Sequence, residues 1–176
     1  MKKLSFFTIA GLAGLFLAHS PLTAAETRGS LSEGDYKFAS EAARGNLAEV
    51  KMGELAKQKG TSQAVKDFGD RMISEHGKAN EEFNRIVAGK NAVPPADFSH
   101  KENATMEKLE KASGKDFDKA YAAAMVKDHK ADVKEFKEAA KNLQDPDLRA
   151  FASKTLPVLE SHLKMAEEME SAVQKE

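Results

Sequence analysis

Apolar positions recur at steps of three and four along most of the chain. One stripe reads Val65, Phe68, Met72, His76, Phe83; another reads Phe117, Tyr121, Met125, His129, Val133, Phe136. That spacing keeps side chains on one face of an α-helix. The two stripes also form a repeat. An aromatic, a Met, a β-branched residue, an acid, a His and a Phe fall at the same offsets in Phe68 to Phe83 and in Tyr121 to Phe136. Each copy therefore places a His on an otherwise apolar face.

The pattern predicts four long helices. The first runs from Ser32, which with Asp35 makes a capping box carrying Asp in place of Glu, to the helix-stopping Gly60. Its stripe is Phe38, Ala42, Gly45, Met52 and Ala56, with Glu49 among them and Leu47 and Val50 on a flank. The second helix starts at once, capped by Thr61 or Ser62, and reaches about Ala88 before Gly89. Asn91 to Ser99, with Pro94-Pro95, reads as loop, and Thr105 to Lys111 leaves room for a short helix. The third runs from Ser113 to about Asn142. The fourth opens at Asp145-Pro146, with Pro at the first helical position, and continues to near the C-terminus. Its interior positions are Leu148, Phe151, Leu159, Ala166 and Met169, with His162 among them. Pro157 is expected to kink this helix or interrupt its hydrogen-bond ladder.

The short first connection makes the first two helices antiparallel neighbours. The connection between the second and third is long enough to cross the length of a bundle of such helices, roughly 40 Å at about 1.5 Å per residue. A weaker repeat favours that crossover. Phe38-Ala39-Ser40 with Glu49 and Met52 matches Phe151-Ala152-Ser153 with His162 and Met165.

Each helix then contributes one inward polar residue near mid-height: Glu49, His76, His129 and His162. Side chains lean toward their own helix N-terminus, which brings antiparallel neighbours together. Three imidazoles and a carboxylate fill a four-coordinate sphere such as that of zinc, and also suit copper or iron. The competing reading makes each His a core residue bonded to a neighbouring carboxylate or carbonyl. Left unpartnered, such a buried set costs several kcal/mol. Glu49 is expected to be an ionised partner that raises the pKa of one imidazole. Glu75 and Asp128, each preceding a His, point about 100° away and read as surface groups or as supports behind the ligands. Asp132, one turn beyond His129, is placed to orient that ring or to face water. Met52, Met72, Met125 and Met165 flank the polar layer. Thioethers favour cuprous copper, but Met also fills gaps in cores, and core packing is the preferred reading.

Composition narrows the function classes. The 176 residues carry 27 Lys and Arg against 28 Asp and Glu, for a net charge of −1. No basic face stands out, so a nucleic-acid partner is not expected. Without Cys there is no disulfide, thiolate ligand or lipid-attachment site. Met1 to Ala25 reads as a secretory signal: Lys2 and Lys3, an apolar Leu4 to Ala18, and small residues at Thr23-Ala24-Ala25. Residues 26–176 are then one mature domain, periplasmic or secreted, with no stable membrane insertion after cleavage and no protein partner that the sequence names.

The motifs Arg71-Met72-Ile73-Ser74-Glu75-His76, Ser113-Gly114-Lys115-Asp116-Phe117-Asp118, Met125-Val126-Lys127-Asp128-His129 and Leu156-Pro157-Val158-Leu159-Glu160-Ser161-His162 carry a family resemblance. Over about Asp35 to Val173 the chain resembles exported bacterial proteins grouped as a domain of unknown function, DUF4142, and regarded as ferritin-like. The resemblance implies an all-α, ferritin-like four-helix bundle with a long connection between the second and third helices. It implies no reaction. Di-iron bundles carry Glu-x-x-His on two helices, whereas the residues three before the His positions here are Ile73, Val126 and Leu159. One metal ion is easier to accommodate than two. The leading expectation is an exported bundle that binds one transition-metal ion through Glu49, His76, His129 and His162, in metal handling or stress tolerance rather than turnover. The alternative is a metal-free periplasmic structural or interaction protein with no catalytic activity. A redox enzyme using Tyr121 near the metal ranks third.

Overall fold

A computed structural model describes residues 27–95 and 97–175. The expected signal segment, residues 1–25, lies outside the described residues. Five helices form: α1 (Glu33–Lys59), α2 (Gln63–Gly89), α3 (His100–Lys111), α4 (Gly114–Asn142) and α5 (Pro146–Val173). Among the described residues no strand forms; an isolated bridge joins Thr27 to Val93. None of the helices there is long and apolar enough to cross a membrane.

The expected boundaries hold closely, with one difference. α3 begins five residues before Thr105, because Ser99 and Glu102 make a reciprocal capping box that nucleates it earlier. α5 contains Pro157, as expected, and runs on through it with one bond of the ladder lost. That residue faces solvent, as does Ser153, whose carbonyl loses its donor, so water can satisfy what the ring removes.

α1 packs mainly on α2, and α4 on α5; the two pairs meet through α2 against α5 and α1 against α4. α3 lies against α1 and α4. Contacts at the helix ends give the directions. Lys90, just after α2, pairs with Asp145 at 2.9 Å and Asp147 at 2.6 Å, at the start of α5. Lys59, at the end of α1, donates to the carbonyls of Leu109 at 3.1 Å and Glu110 at 2.5 Å, at the end of α3. The chain thus leaves α2 beside the α4–α5 turn and returns through α3 to the opposite end before α4 begins. α2 and α4 run in the same direction.

Two buried aspartates pin the hairpin turns. Asp118 of α4 accepts from the backbone N–H of Thr61 at 3.0 Å and of Ser62 at 2.8 Å, and from the Thr61 hydroxyl. It caps α2 from another helix, because Ser62 makes no cap of its own. At the far end Asp35 of α1 accepts from the Ser32 hydroxyl at 2.7 Å and from the N–H of Gln144 at 2.9 Å and Asp145 at 3.2 Å. Each aspartate satisfies backbone donors that the turn would otherwise leave bare. Within the α1–α2 pair, Gly53 and Gly69 bring backbone against backbone. A Cβ on either would lie 2.7 or 2.8 Å from the other's carbonyl oxygen.

Two apolar clusters fill the interior. One gathers Met52, Phe68, Met72, Leu109, Phe117, Tyr121 and Met125 near the α1–α2 turn. The other gathers Phe38, Phe83, Phe136, Leu148, Phe151 and Leu159 near the α4–α5 turn. Every long helix places a buried polar residue between the two: Asn46 and Glu49 on α1, His76 on α2, His129 on α4 and His162 on α5.

Replacing Asp118 by Ala is expected to cost about 2–3 kcal/mol, since a charged acceptor of several hydrogen bonds is lost and part-buried backbone donors of the turn lose their partner. The exposed Asp116→Ala, two residues away, should cost no more than about 0.5 kcal/mol. Urea unfolding of both variants checks this. Similar losses would mean that Asp118 does not hold the turn.

Candidate metal centre

His76, His129 and His162 meet in the polar layer. They are 5%, 0% and 1% exposed. One ring nitrogen from each lies within 4.8 Å of the other two. Ring centroids are 5.9 Å apart for His76 and His129, and 5.3 Å for each of the other pairs. Phe68 forms the apolar floor, edge-on to His129 at 5.9 Å and to His162 at 6.4 Å.

Each ring has one nitrogen tied and one free. His129 Nδ1 donates to the Met125 carbonyl at 2.9 Å. The carbonyl can only accept, so the lone pair falls on Nε2. His162 Nε2 donates to Glu75 Oε2 at 2.8 Å, which leaves the lone pair on Nδ1. His76 Nδ1 lies 3.1 Å from Asn46 Oδ1, which leaves Nε2. The remaining atoms, Nε2 of His76 and His129 and Nδ1 of His162, are buried without a hydrogen-bond partner. A fixed acceptor behind each ring and a free lone pair in front is the arrangement of metal-ligating histidines.

Glu49 is as buried as the histidines, at 2% exposure, but it stands elsewhere. Its Oε1 is 3.8 Å from His129 Nδ1, the nitrogen already bonded to Met125, and its Oε2 has no partner. Among the described residues, the converging group contains the three histidines and not Glu49. Nor is Glu49 the ionised partner expected from sequence. Burial, with the Asp128 charge adding to it, pushes its carboxyl up to about 8.

The supporting residues were partly legible. Glu75 stands behind one of the three rings, yet it serves His162 across the helix pair rather than its neighbour His76. Burial acts to raise its pKa, but the bonds from His162 and Arg71 outweigh this and hold it below the usual value. Asp128 pairs with Lys101 of α3 at 2.8 Å. Half-buried Asp132 is pushed up to about 7, first by burial and then by Glu49. Asn46 was not anticipated. Its position three residues before Glu49, on the inward face of α1, was the available signal.

All three imidazoles are held below their usual pKa. For His76 burial acts first, then the charges of His129 and His162, and the shift is large. For His129 burial outweighs Asp132 and the Met125 carbonyl. For His162 burial outweighs the Glu75 bond. The lone pairs are therefore free at neutral pH, and a metal need not displace protons from them.

These shifts act on stability in opposite senses. Unfolded imidazoles take up protons near pH 6.5 while the folded ones do not, so the His contribution is lost as pH falls from 6.5 through the folded values. The raised carboxyls do the reverse. Folded Glu49 and Asp132 hold protons that the unfolded chain has released, so their contribution is present at low pH and lost as pH rises through about 7 to 8. Metal-free protein is therefore expected to gain thermal stability as pH falls from about 8.5 to 6.5, and to flatten or decline below that. Glu49→Gln should remove much of the upper slope. Thermal melts across the range check this; an identical upper slope in the variant would mean that Glu49 is ionised in the folded protein.

Two solved structures share the fold. A crystal structure of a DUF305 fragment from Deinococcus radiodurans matches with a TM-score of 0.70 and 8% identity, over 83% of this chain and 99% of that one. CopM in its Cu(II)-bound form matches with a TM-score of 0.67 and 16% identity, over 78% of this chain and 96% of that one. At these identities the likeness is one of fold. No curated protein matches the chain at a significant level. Residues 20–169 match the family described as a domain of unknown function, DUF4142, and the chain belongs to that family.

Proposed function

We propose that this chain is an exported, ferritin-like four-helix bundle, with α3 carried in the long connection between its second and third long helices, and that it binds one transition-metal ion. The ligands are His76 Nε2, His129 Nε2 and His162 Nδ1. The role is metal handling or stress tolerance. The observation that carries the reading is the set of three buried, partnerless ring nitrogens, each on a ring fixed from behind by Asn46, Met125 or Glu75.

A layer built only for stability would not leave the atoms this way. Each unpaired buried acceptor costs about 1–3 kcal/mol, and apolar residues of similar size would avoid that. A metal turns the three costs into ligand bonds. Neutral imidazoles suit copper and zinc alike; a Cu(II)-bound structure of the same fold favours testing copper first. Glu49, behind His129, supports the layer rather than completing the coordination. The fourth position is left to water or to an exogenous ligand. The nearly balanced surface charge supports no nucleic-acid partner.

The protein, freed of metal by chelation, should take up one equivalent of copper or zinc. At a free-metal concentration about a hundredfold above the Kd, this should stabilise the fold by about 2.7 kcal/mol. Glu75→Gln and Asn46→Ala should each weaken binding about 10- to 100-fold by releasing a ring, and His162→Gln should weaken it more. Calorimetric titration and thermal melts measure both effects. No stoichiometric metal, or the same affinity in the triple His→Gln variant, would refute the reading.

A further inference from the structure

An open surface groove and the histidines are joined by a line of carboxylates. An open groove of about 770 Å³ lies between the start of α1 and the end of α4. Glu33, Glu41, Glu135 and Glu138 line it, with Lys37 as the lysine among its walls. A small cavity of about 20 Å³ shares Glu41 and Glu135 with the groove and continues inward past Gly45 and Asp132 to His76. Such a volume holds about one water-sized particle. At its inner end His76 is 95% buried by its 5% exposure, and its Nε2 has no partner. The carboxylates therefore lead to a buried histidine that carries an unsatisfied ring nitrogen, with Asn46 beside it, and do not simply cluster on a surface.

A second cavity adjoins the first along the α1–α4 gap. At about 30 Å³, it shares Gly45 and Asp132 with the first and reaches Glu49 and Asp128. Lys101 of α3 lines it, 2.8 Å from Asp128, with Glu102 beside it. Gly45 is the common threshold. A Cβ built on it meets nothing within 4 Å, so the space above it is open.

Building on the trihistidine reading, we propose that metal cations reach the centre through the α1–α4 groove, steered by Glu41, Glu135 and Asp132 and admitted beside Gly45, with His76 the first ligand met. A line of carboxylates concentrates cations and raises their association rate, and the effect falls with ionic strength. The cargo class is a free or aquated cation. A metal carried as an anionic complex would be turned away by the same charges.

Stopped-flow mixing of the metal-free protein with aqueous copper(II), followed by absorbance, tests this. Gly45→Leu fills the threshold without a backbone clash. It should slow association at least about tenfold, by closing a passage of one-particle width, while affinity measured against a competing chelator stays within about threefold. The combined Glu41→Gln, Glu135→Gln and Asp132→Asn variant should associate more slowly and lose most of its salt dependence. It carries the test if Gly45→Leu does not fold. Glu168→Gln, on the groove between α2 and α5, should behave as the parent. Parental association rates in both passage variants would overturn the proposal, as would an affinity loss expressed only in faster dissociation. A parent protein that takes up no copper would remove the trihistidine reading and this passage together. A parent that binds, with unchanged variants, would remove the passage alone.

Discussion

Desolvation of three imidazoles is the constraint on which the centre of this molecule turns. A ring in water satisfies both nitrogens. A ring walled by Phe68, by two apolar clusters and by its own neighbours can satisfy only what the fold supplies. Here the fold supplies one acceptor to each ring and nothing to the other nitrogen. The same burial keeps the rings neutral, and neutrality lets three of them share so small a space. Three imidazolium groups with centroids 5.3 to 5.9 Å apart would repel strongly in a dry layer. Neutral rings, fixed orientation and free lone pairs are one physical condition seen from three sides.

Holding that condition requires the four long helices to keep their heights relative to one another. Steps of three and four place each polar residue on the inward face, but they do not set its level. The level depends on the turns. Asp118 ties the α1–α2 turn to α4, and Asp35 ties the α4–α5 turn to α1. Both aspartates sit near the start of their helices, each reaching to the turn of the opposite hairpin. The close approach of Gly53 and Gly69 fixes the spacing of α1 on α2. An axial slip of one turn, about 5.4 Å, would carry a His out of the layer and into one of the apolar clusters. The turn aspartates and the histidine layer are thus parts of one registration.

Most of the helical framework was legible because its signals are local. Apolar steps, Ser32, Gly60, Asp145-Pro146 and the repeated His positions each act within a turn or two of chain. What escaped depended on neighbours that no local pattern specifies. Glu75 follows the rule that adjacent helical residues diverge, so it turns away from the face of His76; that direction happens to carry it to His162 on α5. Asn46 looks like any surface Asn until its face is known to be inward. Glu49 was correctly placed on the inward face of α1, but its distance from the other three could not be read from periodicity. The Nδ1 side of His129, where it stands, is already taken by the Met125 carbonyl. The start of α3 was different. Its signal, Ser99 followed by Glu102, was present and local, and was overlooked beside the prolines of the preceding loop.

The residues one turn before each His decide how many ions such a layer can hold. In two-metal bundles an inward Glu stands three residues before the His, and carboxylates bridge the ions and offset their charge. Val126 and Leu159 hold those places in α4 and α5 and are buried; Ile73 holds the place in α2 and is half-buried. They fill with hydrocarbon the space that a second ion and its bridging oxygens would need. The carboxylates that do approach are set apart from the three nitrogens: Glu75 behind His162, Glu49 behind His129, and Asp132 on the passage from the groove. Negative charge at one remove can offset a single cation through the rings it touches, as a carboxylate behind a ligating His does. It cannot bridge two. The apolar residues at the i−3 positions, as much as the histidines themselves, therefore limit the proposed centre to one ion.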